Sequence, residues 1–160
     1  MKKVKRTKTG KIRPSILVID DDEGIRKTLT KILTEKGYSV DSAETGREAI
    51  RKTNVKFYNM ALIDIRLPDM DGVELLRKIK ATKPKMRKII ITGYPTLQNA
   101  VEALNKGADA YIMKPLEMEK VLATIKEQLE KQRKEQKMTE EQLVQYIETR
   151  AKQIEKESLQ

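Results

Sequence analysis

The 160-residue chain contains no cysteine, no histidine, no tryptophan and a single phenylalanine. Without cysteine there can be no disulfide and no thiol chemistry, which fits a reducing, cytoplasmic setting. Without histidine the chain cannot carry a Ser-His-Asp triad, a His-ligated metal or a phosphohistidine of its own. Any metal must then be held by oxygen, which points to a hard cation such as Mg2+ or Ca2+. Long apolar runs are also missing: no stretch reaches the roughly 18 residues of a transmembrane helix. The basic N-terminus lacks the apolar segment of a secretory signal.

What is abundant is positive charge, and it is unevenly spread. Of a net charge of +10, seven units come from Lys2, Lys3, Lys5, Arg6, Lys8, Lys11 and Arg13, with no acid among residues 1–13. Residues 14–160 then carry only +3. Such an arm is expected to be a solvated, disordered leader, with a nucleic-acid or acidic-partner contact as the alternative.

Short apolar runs alternate with amphipathic stretches, the pattern of a doubly wound α/β fold with a five-stranded parallel sheet. The expected strands are Ile16–Ile19, Val40 with its neighbours, Met60–Ile63, Ile89–Ile91 and Ala110–Met113. Between them the first helix reads Ile25, Leu29, Ile32 and Leu33 at helical spacing, closed by Gly37. Thr45 with Glu48 predicts a capping box for the second helix, and Asp71 a cap for the third, whose inner face is Val73, Leu76 and Ile79. Thr96 is expected to cap a fourth carrying Leu97, Val101 and Leu104, ended by Gly107. A fifth, after Pro115, is expected to bury Val121, Leu122, Ile125 and Leu129. Beyond Glu130 charge dominates, with seven bases and seven acids in residues 130–160. There Thr139-Glu140-Glu141-Gln142 reads as a further capping box, with Met138 and Leu143 as its hydrophobic staple. It predicts a sixth helix over 139–158, or a prolongation of the fifth. The stripe Leu143, Ile147, Ala151 and Ile154 is too narrow for a core of its own and needs something to pack on. The domain reading is a basic tail 1–13, a globular unit 14–130 and a helical extension 131–160.

Open α/β sheets bind ligands beyond the carboxyl ends of their strands. Here those ends are polar: Asp20-Asp21-Asp22 after the first, Asp64 after the third, Thr92 and Gly93 after the fourth, Lys114-Pro115 after the fifth. Each group alone has a bland explanation, since turns favour Asp and Asp22 can simply cap a helix. Together they describe crowded carboxylates that need cations, with Lys114 as one and Mg2+ as the other. A carboxylate so placed can attack phosphorus and form an acyl phosphate.

The segments Ile16-Leu17-Val18-Ile19-Asp20-Asp21-Asp22, Asp64-Ile65-Arg66-Leu67-Pro68-Asp69-Met70-Asp71-Gly72, Ile91-Thr92-Gly93-Tyr94-Pro95 and Tyr111-Ile112-Met113-Lys114-Pro115 closely resemble the receiver domain of two-component response regulators, a flavodoxin-like fold. The resemblance covers residues 14–130. It implies that Asp64 is the phosphoacceptor and that Asp20, Asp21, Asp64 and the Arg66 backbone carbonyl hold Mg2+. It further implies that Thr92 and Lys114 contact the phosphoryl group, that Tyr111 is an aromatic switch and that the Lys114–Pro115 bond is cis. The Arg66 side chain would tune the phosphoryl lifetime. The implied partner is a sensor histidine kinase or phosphotransfer protein, and the implied role is a phosphoacceptor switch in a phosphorelay, not a turnover enzyme.

No winged helix, helix-turn-helix or ATPase module follows residue 130, so either a single-domain receiver is expected or one whose output is the C-terminal helical extension, acting by self-association or partner docking through the fifth helix and that extension. The competing reading is a DNA-associated regulatory or assembly protein acting through the basic arm. A haloacid-dehalogenase-like phosphatase is a third. It would want an Asp-x-Asp pair and a cap domain, and here Asp20, Asp21 and Asp22 are contiguous.

Overall fold

A computed structural model describes residues 12–93 and 96–159, without the Leu97 side chain; the expectations for the basic tail before residue 12, for Tyr94-Pro95 and for that side chain lie outside the described residues. The elements alternate as β1 (Ser15–Ile19), α1 (Glu23–Glu35), β2 (Ser39–Ala43), α2 (Gly46–Val55), β3 (Met60–Asp64), α3 (Gly72–Lys78), β4 (Arg87–Thr92), α4 (Leu97–Asn105), β5 (Ala110–Met113) and α5 (Met118–Ser158). The five strands are parallel in the order β2-β1-β3-β4-β5. This is the flavodoxin-like, doubly wound strand order that the sequence predicts, with β1 and β3 buried at every position.

Strand alternation splits the core into two layers. Leu17, Ile19, Ala61, Ile63 and Ile90 face α2, α3 and the inner side of α4. Ile16, Val18, Leu62, Ile89 and Ile91 face α1 and α5. A buried Leu or Ile contributes roughly 1.5–3 kcal/mol by leaving water, so these two layers are the main source of stability.

The local signals hold. Asp22, Thr45, Asp71 and Thr96 each accept a backbone N–H at the start of α1, α2, α3 and α4. Gly37 and Gly107 take positive φ values of 97° and 107° after α1 and α4, where a side chain would be strained. The Glu48 carboxylate reaches back one residue beyond the usual capping box, to the Glu44 amide at 3.0 Å.

Three expectations change. Val101 and Leu104 are exposed, because α4 packs inward through Ala103. Leu122 and Leu129 are half-buried, and the fully covered side of α5 also carries two glutamines, Gln128 and Gln132. Of the two readings for 139–158 the prolongation of the fifth helix is the one found, but the expected capping box is not: α5 runs on to Ser158, and the Thr139 hydroxyl donates to the Glu135 carbonyl within it at 3.0 Å. The capping box is not used because nothing near residue 138 interrupts the helical ladder; Met138 and Leu143 are both exposed.

Gln132 explains how the long helix is seated. Its side-chain nitrogen donates to the backbone carbonyls of Asn59 (2.9 Å) and Lys85 (2.8 Å), and its oxygen accepts from the Asn59 side-chain Nδ2 (3.1 Å). Asn59 Oδ1 in turn accepts from the Ser15 amide at 2.9 Å. One turn further, Glu135 pairs with Arg87, which also pairs with Asp109. From residue 136 to Ser158 the helix is exposed on every side.

Candidate functional site: an acidic pocket at the carboxyl rim

Three strand ends meet at one rim. Asp20 and Asp64 are buried, whereas Asp21 is exposed. One carboxylate oxygen from each of Asp20, Asp21 and Asp64 lies within 4.8 Å of the other two. The cation beside them is Lys114, whose Nζ stands 3.2 Å from Asp20 Oδ2 and 3.4 Å from Asp64 Oδ2. Three carboxylates against one ammonium leave net negative charge in a half-buried place. Burial raises the Asp20 pKa, the Asp22 N–H bond works against this, and the neighbouring Asp64 charge adds to the rise. Burial alone would lower the Lys114 pKa, but the Asp20 and Asp64 carboxylates outweigh it and hold it above the ordinary lysine value.

The backbone makes these positions reproducible. The Asp22 amide donates to Asp20 Oδ1 at 2.9 Å while the Asp22 carboxylate caps α1, so Asp22 is a capping residue, as the sequence suggested. The Arg66 amide donates to Asp64 Oδ1 at 3.2 Å, and the Arg66 side chain is exposed. Thr92 is fully buried at the end of β4, where its carbonyl accepts from the Lys114 amide at 2.7 Å. That bond ties two predicted site residues together. The Lys114–Pro115 bond is cis, as expected. Tyr111 packs against the α2–α4 layer with its hydroxyl buried and unpaired.

Several supporting residues escaped the sequence reading. Arg26 donates to the Asp20 carbonyl at 2.8 Å and pairs with Glu44, bracing the first loop. Asp69 accepts from the amides of Gly46 and Arg47, both at 2.9 Å, tying the loop after β3 to α2. Gly72 lies so close to the Asp64 carbonyl that an added Cβ would sit 2.6 Å from it. Arg26 with Glu44 and Asp69 with Gly46 and Arg47 are 18 to 23 residues apart, and only the spacing of the Asp69-Met70-Asp71-Gly72 turn hinted at such contacts.

Residues 16–126 match the family described as the response regulator receiver domain. The chain belongs to the response regulator receiver family. The receiver is 40% identical over 114 residues to the transcriptional regulatory protein ZraR of Klebsiella oxytoca, a match covering 71% of this chain and 26% of that protein. The chain therefore spans about a quarter of the length of that relative. In structure the receiver resembles a CheY-like receiver domain protein from Methanospirillum hungatei, with a TM-score of 0.73 and 48% identity over 77% of this chain and 98% of that one. It also resembles a Burkholderia pseudomallei response regulator whose crystal structure holds a phosphorylated aspartic acid, a calcium ion and citrate (TM-score 0.65, 33% identity, 69% of this chain and 65% of that one).

A divalent cation fits this donor set on its chemistry alone. The donors are hard oxygens, at least three of them converge, and their charge exceeds that of the one lysine among them. Among the described residues no helix is long and apolar enough to cross a membrane.

Proposed function

We propose that Asp64 accepts a phosphoryl group from a histidine kinase or phosphotransfer protein, and that Asp20, Asp21, Asp64 and the Arg66 carbonyl hold the Mg2+ that the transfer requires. The observation that carries this is the buried Asp64 carboxylate at a strand end, with Lys114 3.4 Å away and Asp20 and Asp21 beside it. An Asp64 oxygen attacks the phosphorus of a phosphohistidine on the partner. The P–N bond breaks, and the departing imidazole keeps the electron pair and takes up a proton. Lys114 then pairs with a phosphoryl oxygen and Thr92 donates its hydroxyl to another. When bound, Mg2+ supplies positive charge to the phosphoryl oxygens and carboxylates alike. Tyr111 is the aromatic switch that turns inward on activation. The chain is a switch that passes through one phosphorylation cycle, without turnover of a separate substrate.

For the output we divide the chain into a receiver, 14–130, and an extension, 131–160, rooted by Gln132 and Glu135. A second copy of this chain is the proposed occupant of the projecting stripe. Leu143, Ile147 and Ile154 are each more than half exposed, and the extension's six acids against seven bases let two copies approach with little net repulsion. Sedimentation of the full chain against a chain truncated after Gln136, with and without phosphorylation, tests this; monomers throughout refute it.

The phosphorylation reading is tested with acetyl phosphate. The wild type is expected to take up one acid-stable, base-labile phosphoryl group only when Mg2+ is present. Equal labelling in excess chelator would overturn it.

A further inference from the structure

The parallel topology sorts the loops by rim, and the rims differ in charge. Among the described residues the carboxyl rim, made by residues 20–22, 44–45, 65–71, 93, 96 and 114–117, holds seven acids and two bases. The opposite rim is made by residues 36–38, 56–59, 79–86 and 106–109. It holds six bases (Lys36, Lys56, Lys80, Lys83, Lys85 and Lys106) and one acid, Asp109. Every connection on that rim carries at least one lysine.

The charge is densest in one stretch: residues 77–88 hold seven bases and no acid. Some of this charge is answered: Arg87 pairs with Asp109 and Glu135, Lys78 with Glu74 and Lys56 with Asp41. Among the described residues, Arg77, Lys80, Lys83 and Lys85 have no carboxylate within ion-pair distance. Lys80, Lys83, Lys85 and Lys88 line an open cleft of about 630 Å³ between the 79–86 loop and α5, with Glu135 and Glu140 on its α5 side. Burial, and then the Lys85 charge, lower the Lys88 pKa, as expected where cations crowd.

We propose that this amino-end rim, with the 77–88 segment, binds the phosphodiester backbone of nucleic acid, independently of base sequence. Unpaired lysines on short loops, spread over one face, match a row of phosphates. An anionic membrane would favour an apolar face beside the lysines. On this rim Tyr58, Ile79, Met86 and Ala108 are buried, and among the described residues only Phe57 is an exposed large apolar side chain. The surface does not overlap the acidic pocket, and its binding is independent of the phosphorylation reading.

Fluorescence anisotropy of a mixed-sequence duplex DNA with the full chain, across a salt series, tests this. Binding is expected to weaken steeply with salt and to be unchanged when the duplex sequence is scrambled. Lys80→Glu/Lys83→Glu/Lys85→Glu is expected to weaken binding at least about tenfold and to flatten the log–log salt slope by about 2–3, one phosphate contact per lysine. Lys27→Glu/Arg47→Glu/Lys120→Glu makes the same change in charge at the other rim and is expected to weaken it less than about threefold. Circular dichroism and acetyl phosphate labelling confirm that both variants fold. No duplex binding at low salt, equal losses in the two variants, or binding to phosphatidylserine vesicles but not to duplex would overturn the proposal.

Discussion

Gln132→Ala should destabilise this protein as much as loss of a core side chain, although Gln132 belongs to a residue type usually found at the surface. Three hydrogen bonds disappear with the amide group: to the Asn59 backbone carbonyl, to the Lys85 backbone carbonyl and from the Asn59 side-chain Nδ2. A net hydrogen bond is worth about 1 kcal/mol, and a buried group left unpaired about 1–3 kcal/mol. The Asn59 carbonyl keeps its bond from the Arg87 amide at 3.0 Å, so it is not orphaned. The Asn59 side-chain Nδ2 loses the partner it has here. Recovered side-chain entropy and alanine's better helix propensity return up to about 2 kcal/mol. The net expectation is a loss of about 2–3 kcal/mol, read as a urea midpoint lowered by about 1 M at unchanged slope. Gln128 supplies the contrast. Its nitrogen makes a single long bond, 3.4 Å to the Asp109 carbonyl, and its oxygen is buried without a partner. Gln128→Leu should therefore be neutral or stabilising. Amide exchange should show faster opening from residue 133 onward in Gln132→Ala, because the root of the projecting helix is what it loosens. A Gln132→Ala loss below about 0.5 kcal/mol, or one no larger than that of Gln128→Ala, would refute the reasoning.

Other perturbations probe the acidic rim. Gly72→Ala would place its Cβ 2.6 Å from the Asp64 carbonyl oxygen and 2.8 Å from Ile65 Cα, both backbone, so about 1–3 kcal/mol of stability should be lost and labelling with acetyl phosphate should slow. A normal labelling rate in a fully stable Gly72→Ala would contradict that packing. Tyr111→Phe removes a hydroxyl that is buried without a partner, so the thermal midpoint of the unphosphorylated protein should correspond to a change within about 0.5 kcal/mol or a small gain. Mg2+ should raise the melting temperature of the wild type, and Asp21→Ala should abolish most of that rise; an equal rise in both would remove Asp21 from the ligand set.

What was legible in the sequence was local or periodic. Apolar runs placed all five strands, Ser/Thr/Asp spacing placed the caps, and polar residues directly after strands placed Asp20, Asp21, Asp64 and Lys114 on one rim. Long-range pairing was not legible. Gln128 and Gln132 read as solvated positions on a charged helix, yet their burial depends on Asn59, Lys85 and Asp109, far away in sequence. Val101 and Leu104 fit an inward stripe, but Ala103 lets α4 sit close to the sheet and leaves them outside. The capping box at Thr139 is a real local preference that an uninterrupted helix does not need. The segregation of charge between the two rims needed the strand order and direction, since Lys36, Lys56, the lysines of 79–86 and Lys106 share a rim only in the fold.

The central claim is that Asp64 carries the phosphoryl group. It is tested most directly by trapping the acyl phosphate with borohydride, which reduces the phosphorylated aspartate to homoserine, and sequencing the peptides by mass spectrometry. The account predicts homoserine at position 64 after treatment with acetyl phosphate and Mg2+, and none in Asp64→Asn. Homoserine at Asp20, Asp21 or another aspartate of the wild type, with position 64 unmodified, would contradict it.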